Sequence, residues 1–173
     1  VKIPKLTTEE LHDDIVRRFN CDDNVAYNAA RLANGNRILA HRYVNEQEDD
    51  KLYFTCFQKW MRYCFKFTAP ELIDFIANDI KPLGREKQKE FLAYGLNVCH
   101  NALFINNGLK DIVLMTEEEK AFMINFAPFV SNNNIGLISD LFEESINQIE
   151  RNGNASLIFL DNSFKIFNYF KMK

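Results

Sequence analysis

The stretch from 51 to 66, KLYFTCFQKWMRYCFK, decides the fold class because its apolar side chains recur at the spacing of an α-helix. Those on one stripe are Tyr53, Phe57, Trp60, Met61 and Cys64. Intervals of three and four residues place side chains on one helix face, whereas a half-buried strand needs strict alternation. The stretch therefore predicts a helix that ends at about Lys66 and buries one face.

Helix signals continue on both sides of this stretch. Threonine–glutamate pairs with the spacing of a capping box, which starts a helix, are Thr7 with Glu10 and Thr116 with Glu119. The segment 67–72, FTAPEL, repeats the pattern and predicts a helix through Ile80. The apolar segment 109–115 has no partner strand, so we assign it to packed loop or helix. The chain is therefore predicted to be all-α.

The predicted helices fall into two groups. Residues 1–46 are expected to form a small domain of three short helices, and residues 47–173 a larger bundle of longer ones. The acidic run 46–50, EQEDD, is interpreted as a junction whose carboxylates also suit the first turn of the next helix. The predicted architecture is a small three-helix domain followed by a larger helical bundle.

The composition excludes several classes of protein. With 173 residues, 47% hydrophobic residues and 16 Phe, the chain can bury a substantial core. No apolar run exceeds four residues, so no membrane-spanning helix is expected. The net charge of −3, without a basic excess in either group, argues against direct nucleic-acid binding. The four cysteines lack CxxC spacing, which predicts reduced thiols in a cytoplasmic protein. Because the chain begins with Val1, we expect a fragment of a longer protein.

The sequence shows no catalytic or metal-ligating constellation. His12, His41 and His100 lie far apart, without an HExxH motif or a histidine–cysteine cluster at metal-ligand spacing. His12 stands beside Asp13 and Asp14, which could serve acid–base chemistry or a metal, but an acidic exposed helix face explains them more simply. We therefore expect no catalytic residue, no cofactor, no metal and no enzymatic activity in this chain.

Two groups of basic residues could meet an anion. Lys59, Arg62 and Lys66 share a helix face beside the apolar stripe, where they could contact an acidic partner or a phosphate, or simply be solvated. In the corner sequence RLANGNR, residues 31–37, Gly35 is expected to end one helix and Asn36 to cap the next. A helix N-terminus with an arginine in its first turn can hold a phosphate, and an ordinary helix corner is the alternative.

Four stretches resemble the AAA+ clamp-loader family. The corner sequence AARLANGN, residues 29–36, resembles the lid of clamp-loader subunits. Three later stretches are similar, in order and spacing, to the C-terminal half of delta-prime subunits of bacterial DNA polymerase III: FQKWMR at 57–62, GREKQKEFL at 84–92 and IERNGN at 149–154. The resemblance covers essentially the whole chain. It implies that 1–46 is the lid and that 47–173 is the collar domain through which subunits oligomerise.

The resemblance also implies a position for nucleotide sensing. Active loader ATPases carry a sensor-two arginine in the lid, in the pattern Gly-Ser-x-Arg. If Gly35 is aligned with that glycine, Asn36 and Arg37 follow, and Ile38 stands at the arginine position. An aliphatic side chain cannot donate a hydrogen bond to phosphate, and Arg37 lies about 100° around the helix from that position. The lid is therefore expected to lack the sensor, as in a subunit that does not hydrolyse ATP.

The functional expectation is a scaffold for clamp-loader assembly in DNA replication. Its partners would be the other loader subunits, and DNA would be reached only through the complex. The predicted contact positions are Trp60, Arg62 and Arg85, because interfaces commonly bury aromatic anchors and arginines. Trp60 could instead belong to the core. The alternative is a free-standing helical ligand-binding or regulatory domain, or a small all-α enzyme, with a phenylalanine-lined cavity between helices.

Overall fold

A computed structural model describes residues 6–109, 113 and 115–172, with the backbone alone at 46 and 47. All regular structure within these ranges is helical and none is strand, so the all-α prediction is confirmed. The α-helices are α1 Thr8–Phe19, α2 Asp23–Leu32, α3 Arg37–Lys66, α4 Ala69–Phe75, α5 Gly84–Asn106, α6 Glu117–Phe126, α7 Ile135–Glu150 and α8 Ala155–Tyr169. Shorter segments are a π-helix, Ile76–Ile80, and the 3-10 turns Lys81–Leu83 and Ala127–Phe129. Most of the segment 109–115 lies outside the described residues.

α3 is longer than predicted. It runs without interruption from Arg37 to Lys66, through the acidic run 46–50. The prediction of a junction that separates two helices is therefore wrong. The reason is that 37–66 contains neither glycine nor proline, and acidic residues are tolerated in a helix interior.

The first of two compact units ends at Leu52, and the predicted domain boundary at 46/47 falls shortly before that end. Its helices α1, α2 and the start of α3 surround a small core that consists largely of alanine. The turn between α2 and α3 uses Asn34 at φ 46° and Gly35 at φ 84°, a backbone conformation that glycine adopts without strain. Gly35 thus ends α2 as the sequence predicts.

The second unit, residues 53–173, is built around stacked aromatic side chains. Trp60 is fully buried, and its ring centroid lies 5.6 Å from that of Phe142 and 5.2 Å from that of Phe159. Gly95 of α5 lets this core pack closely, because an added Cβ would lie 2.9 Å from the Phe57 ring. The apolar stripe 53–64 therefore faces the core of this unit.

Two of the three predicted capping boxes are present in the structure. At Thr7 and at Thr116 the threonine oxygen accepts from the N3 backbone and the glutamate closes the box. The box predicted at Thr68 is wrong, since the Thr68 side chain makes no capping hydrogen bond. Pro70 sets the first turn there instead, and the predicted helix through Ile80 changes to π-helix at Ile76.

Candidate functional site

The corner between α2 and α3 contains the aligned sensor position. Asn36 caps α3, because its Oδ1 accepts the Leu39 backbone N–H at 3.2 Å. Arg37 is engaged by Asp14: its Nε donates to Oδ2 at 2.8 Å and its Nη2 to Oδ1 at 2.5 Å. Ile38 is 83% exposed. At this corner the side chain of Ile38 is aliphatic, and the guanidinium group of Arg37 is hydrogen-bonded to the Asp14 carboxylate.

Asp14 ties α1 to α3 through two residues. Besides the Arg37 fork, its Oδ2 lies 2.7 Å from Nε2 of His41. The hydrogen bond from Arg37, followed by that from His41, holds the pKa of Asp14 below its ordinary value against the opposing effect of burial. The His41 ring packs edge-on against Phe19 at a centroid distance of 5.0 Å. Asp14 is therefore a structural anchor of the first unit.

His12 links α1 to α2. Its Nε2 lies 2.9 Å from Oδ1 of Asp23, and its Nδ1 lies 3.4 Å from Oδ1 of Asp13. The hydrogen bond with Asp13, together with Asp23, raises the pKa of His12. Asp14 belongs to the neighbouring cluster instead. Among the described residues no group of three or more His, Cys, Asp or Glu side chains is arranged to hold a metal ion.

The three predicted contact positions occupy different environments. Trp60 is fully buried and donates from Nε1 to Oγ of Ser163 at 2.8 Å, so it offers no surface to a partner. It occupies the core position that the apolar stripe suggests. Arg62 and Arg85 are exposed, on α3 and α5 respectively.

Arg85 joins two of the stretches that carry the family resemblance. It donates to the side-chain amide oxygen of Asn152, and Lys89 Nζ lies 3.4 Å from Oε1 of Glu150. The start of α5 therefore lies against the end of α7. Gly153 makes this end compact, since an added Cβ would lie 2.7 Å from the backbone oxygen of Gln148. The stretches 84–92 and 149–154 therefore contact each other, and this contact is called the α5–α7 joint.

The basic residues of α3 do not converge on one anion site. Lys59 pairs with Asp79 of the π-helix at 3.0 Å, and this hydrogen bond raises the pKa of Lys59. Arg62 instead lines a groove toward α6, and Lys66 is exposed at the end of α3. The i, i+3, i+7 spacing thus places the three side chains in separate environments.

An open groove with a volume of about 590 Å³ lies between α3 and α6. The α3 wall is formed by Gln58, Met61, Arg62 and Phe65, and the α6 wall by Glu118, Ala121, Phe122, Asn125 and Phe126. Phe129 and Phe170 complete the lining. The sequence indicates that a phenylalanine-lined cavity is possible, but not which helix faces enclose it. The relevant signal is the three- and four-residue spacing within each wall.

Aromatic side chains connect the two walls of this α3–α6 groove. Ring centroids are 5.0 Å apart for Phe122 and Phe126, 6.0 Å for Phe126 and Phe170, 5.7 Å for Phe170 and Phe129, and 4.7 Å for Phe129 and Phe65. Phe65 is 55% exposed. The described residues that line the groove include no histidine, cysteine or serine, and its aromatic side chains offer apolar contact.

The cysteines are free thiols, and three of the four are buried. Burial raises the pKa of Cys64 to about 12 and that of Cys99 to about 12. A thiol with such a pKa is inert as a nucleophile near neutral pH. His100, next to Cys99 in the sequence, lies 3.3 Å from Oγ of Ser139 instead. The predicted core position is confirmed for Cys56, Cys64 and Cys99.

Comparison with known proteins does not identify a family. No family model matches this chain, and neither the search of curated proteins nor the search of solved structures finds a match. Of the helices that the structure describes, none has the length and apolar character needed to cross a membrane. Fold and site define an all-α protein with an aromatic groove open to solvent.

Proposed function

We propose that this chain is the lid-and-collar part of a delta-prime-like clamp-loader subunit, a scaffold in loader assembly that does not itself hydrolyse ATP. The observation that carries the proposal is the α2–α3 corner. Ile38 stands at the aligned sensor position, and Arg37 is bonded to Asp14. At position 38 such a corner therefore has no guanidinium group that could donate hydrogen bonds to a γ-phosphate.

The joint between α5 and α7 also supports the proposal. Two stretches that resemble delta-prime subunits, 84–92 and 149–154, are more than fifty residues apart in the sequence and contact each other through Arg85 and Asn152. A contact of this kind gives a physical reason for the two patterns to occur together. The shared pattern therefore describes a packed joint of the bundle.

Under this proposal the work is done by packing between subunits in the cytoplasm. The lid, 1–46, would follow a nucleotide-binding core supplied by the longer protein, and the collar, 47–173, would grip the other loader subunits. Arg62 and Arg85 are the exposed candidates for contact positions, because Trp60 is occupied by the core. DNA would be reached only through the complex.

Co-purification tests the proposal. Tagged full-length protein, co-expressed with candidate clamp-loader subunits from the same genome, should elute with them in a stable stoichiometric complex. Elution of the tagged protein by itself under low-salt conditions would contradict the assignment. The purified chain should also show no tight nucleotide binding, and micromolar ATP affinity in calorimetry would count against it.

A second function is favoured by the α3–α6 groove. Its volume of about 590 Å³ is of the size that binds small molecules, and five of the eleven described lining residues are phenylalanine. A free-standing ligand-binding domain would use it for an apolar compound. The upstream reading frame distinguishes the two functions, because a Walker-type nucleotide core directly before Val1 supports the scaffold and a start codon there supports the ligand-binding domain.

A further inference from the structure

We infer that the α3–α6 groove is a docking site for an amphipathic helix of another polypeptide. Each wall is one face of a helix, with side chains at intervals of three and four residues. Two such faces form a trough into which a third helix can lay its own apolar stripe. The inference goes beyond the scaffold assignment, since it concerns a defined surface and applies whichever protein supplies the helix.

The groove keeps apolar surface in contact with water. Phe65 at its edge is 55% exposed, although its ring contacts Phe129. Met61 on the α3 wall and Phe126 on the α6 wall are buried. An exposed aromatic ring beside buried apolar side chains is the arrangement that provides anchor positions at protein interfaces.

The charges at the groove define the occupant. Arg62 lies on the α3 wall and Glu118 on the α6 wall, and both are exposed. Among the described residues neither has an ion-pair partner. A helix with an acidic residue on one flank of its apolar stripe and a basic residue on the other would pair with both.

A synthetic peptide tests the groove directly. The probe is a fluorescein-labelled amphipathic helix of roughly 18 residues with a leucine stripe, glutamates along one flank and lysines along the other. Titration with the protein, followed by fluorescence anisotropy, should show saturable binding in the micromolar range. Phe65→Ala should weaken binding about tenfold or more, because it removes the exposed anchor. The matched control is Phe104→Ala, which alters a 40% exposed phenylalanine of α5 outside the groove and should leave affinity unchanged.

Charge exchange tests the orientation of the helix. Arg62→Glu and Glu118→Lys should each weaken binding about two- to fivefold, since exposed ion pairs contribute modestly. The double variant exchanges the charges of the two walls. It should bind the same peptide nearly as well as the parent, because the helix can then lie in the opposite direction.

Three outcomes would overturn the inference. These are no saturable binding up to about 100 µM peptide, equal effects of Phe65→Ala and Phe104→Ala, and a concentration-dependent dimer in sedimentation that Phe65→Ala abolishes. The last would assign the groove to a second copy of the chain. None of them touches the loader assignment, which co-purification with the other subunits decides separately.

Discussion

Asp14 is the residue of the first unit that joins two side chains of α3 to α1. It lies on α1 and accepts hydrogen bonds from Arg37 and His41 of α3. The core of this unit consists mainly of alanine, which buries little apolar surface per residue. Polar contacts between helices therefore matter more here than in the aromatic core of the second unit.

Replacing Asp14 should destabilise the first unit. Asp14→Asn keeps the shape of the side chain but removes the charge that Arg37 and His41 face, which should cost about 1 kcal/mol. Thermal unfolding followed by circular dichroism measures the loss. Asp140→Asn, on α7 in the second unit, is the matched control. An unchanged unfolding curve for Asp14→Asn would contradict the anchoring role.

The histidine–carboxylate contact of α1 predicts a pH dependence. The pKa of His12 is raised in the folded state by Asp13 and Asp23, so folding favours its protonated form. The resulting stability is fully present below the unfolded pKa of about 6.5 and is lost as the pH rises through the higher folded value. Urea unfolding between pH 6 and pH 8 should show this decline in the parent and a smaller decline in His12→Gln.

Asp14 predicts a dependence of opposite sign at lower pH. Its folded pKa lies below the ordinary value, so its contribution is present above the unfolded pKa of about 3.9. It is lost as the pH falls through the folded value. The variant Asp14→Asn lacks this contribution, so its acid unfolding, monitored by circular dichroism, should begin at a higher pH than that of the parent. Acid transitions at the same pH in the two proteins would contradict this prediction.

At the scale of elements, α5 of the second unit packs closely against α3 and α7 at a glycine. Gly95 places the backbone of α5 against the rings of Phe57 and Phe142, where an added Cβ would lie 2.9 Å and 3.2 Å from them. Aromatic rings in a packed core cannot shift freely. The absence of a side chain at this position therefore lets α5 lie close to the rings of α3 and α7.

Gly95→Ala should destabilise the protein by about 1–3 kcal/mol through overpacking, despite the better helix propensity of alanine. Gly136→Ala is the matched control, because nothing lies within 4 Å of an added Cβ there and the change should be neutral or stabilising. Chemical unfolding of both variants gives the comparison. A Gly95→Ala variant as stable as Gly136→Ala would show that the α5 contact is not tight.

The sequence predicts most elements because local signals and tertiary packing agree. The boxes at Thr7 and Thr116 and the stripe of α3 are examples, since each depends on residues three or four apart. The π-helix at Ile76 and the continuity of α3 were less accessible to such signals. The π-helix involves a tertiary contact, in which Gln88 Nε2 donates to the Ile80 carbonyl at 3.1 Å. The acidic run 46–50 gives no local signal that distinguishes a junction from a helix interior.

The candidate site was only partly predictable for the same reason. The sequence indicates that Asn36 caps a helix, because the cap depends on neighbours in the chain. That Ile38 stands at a sensor position is implied by the family resemblance alone. The sequence does not show that Asp14 bonds Arg37, twenty-three residues away, nor that α3 and α6 enclose a groove. Those features depend on which helix faces meet, and apolar spacing specifies a face but not its neighbour.

At the scale of the whole molecule, the proposal divides the chain into a corner without a nucleotide sensor and a bundle for subunit contacts. The corner has a direct functional test. Arg37→Ala in the full-length protein should leave the ATP hydrolysis rate of the reconstituted loader unchanged, because Arg37 serves Asp14. Ile38→Ala is the matched change beside it. A loss of hydrolysis confined to Arg37→Ala, in a complex that still assembles, would assign Arg37 to the nucleotide.

Native mass spectrometry of a reconstituted loader tests the central claim most directly. The full-length protein is mixed with the other candidate subunits, and a parallel sample omits it. The scaffold account predicts that the complete complex contains this protein and does not form in the sample without it. A complete complex in both samples, or this protein remaining as a separate species, would contradict the account.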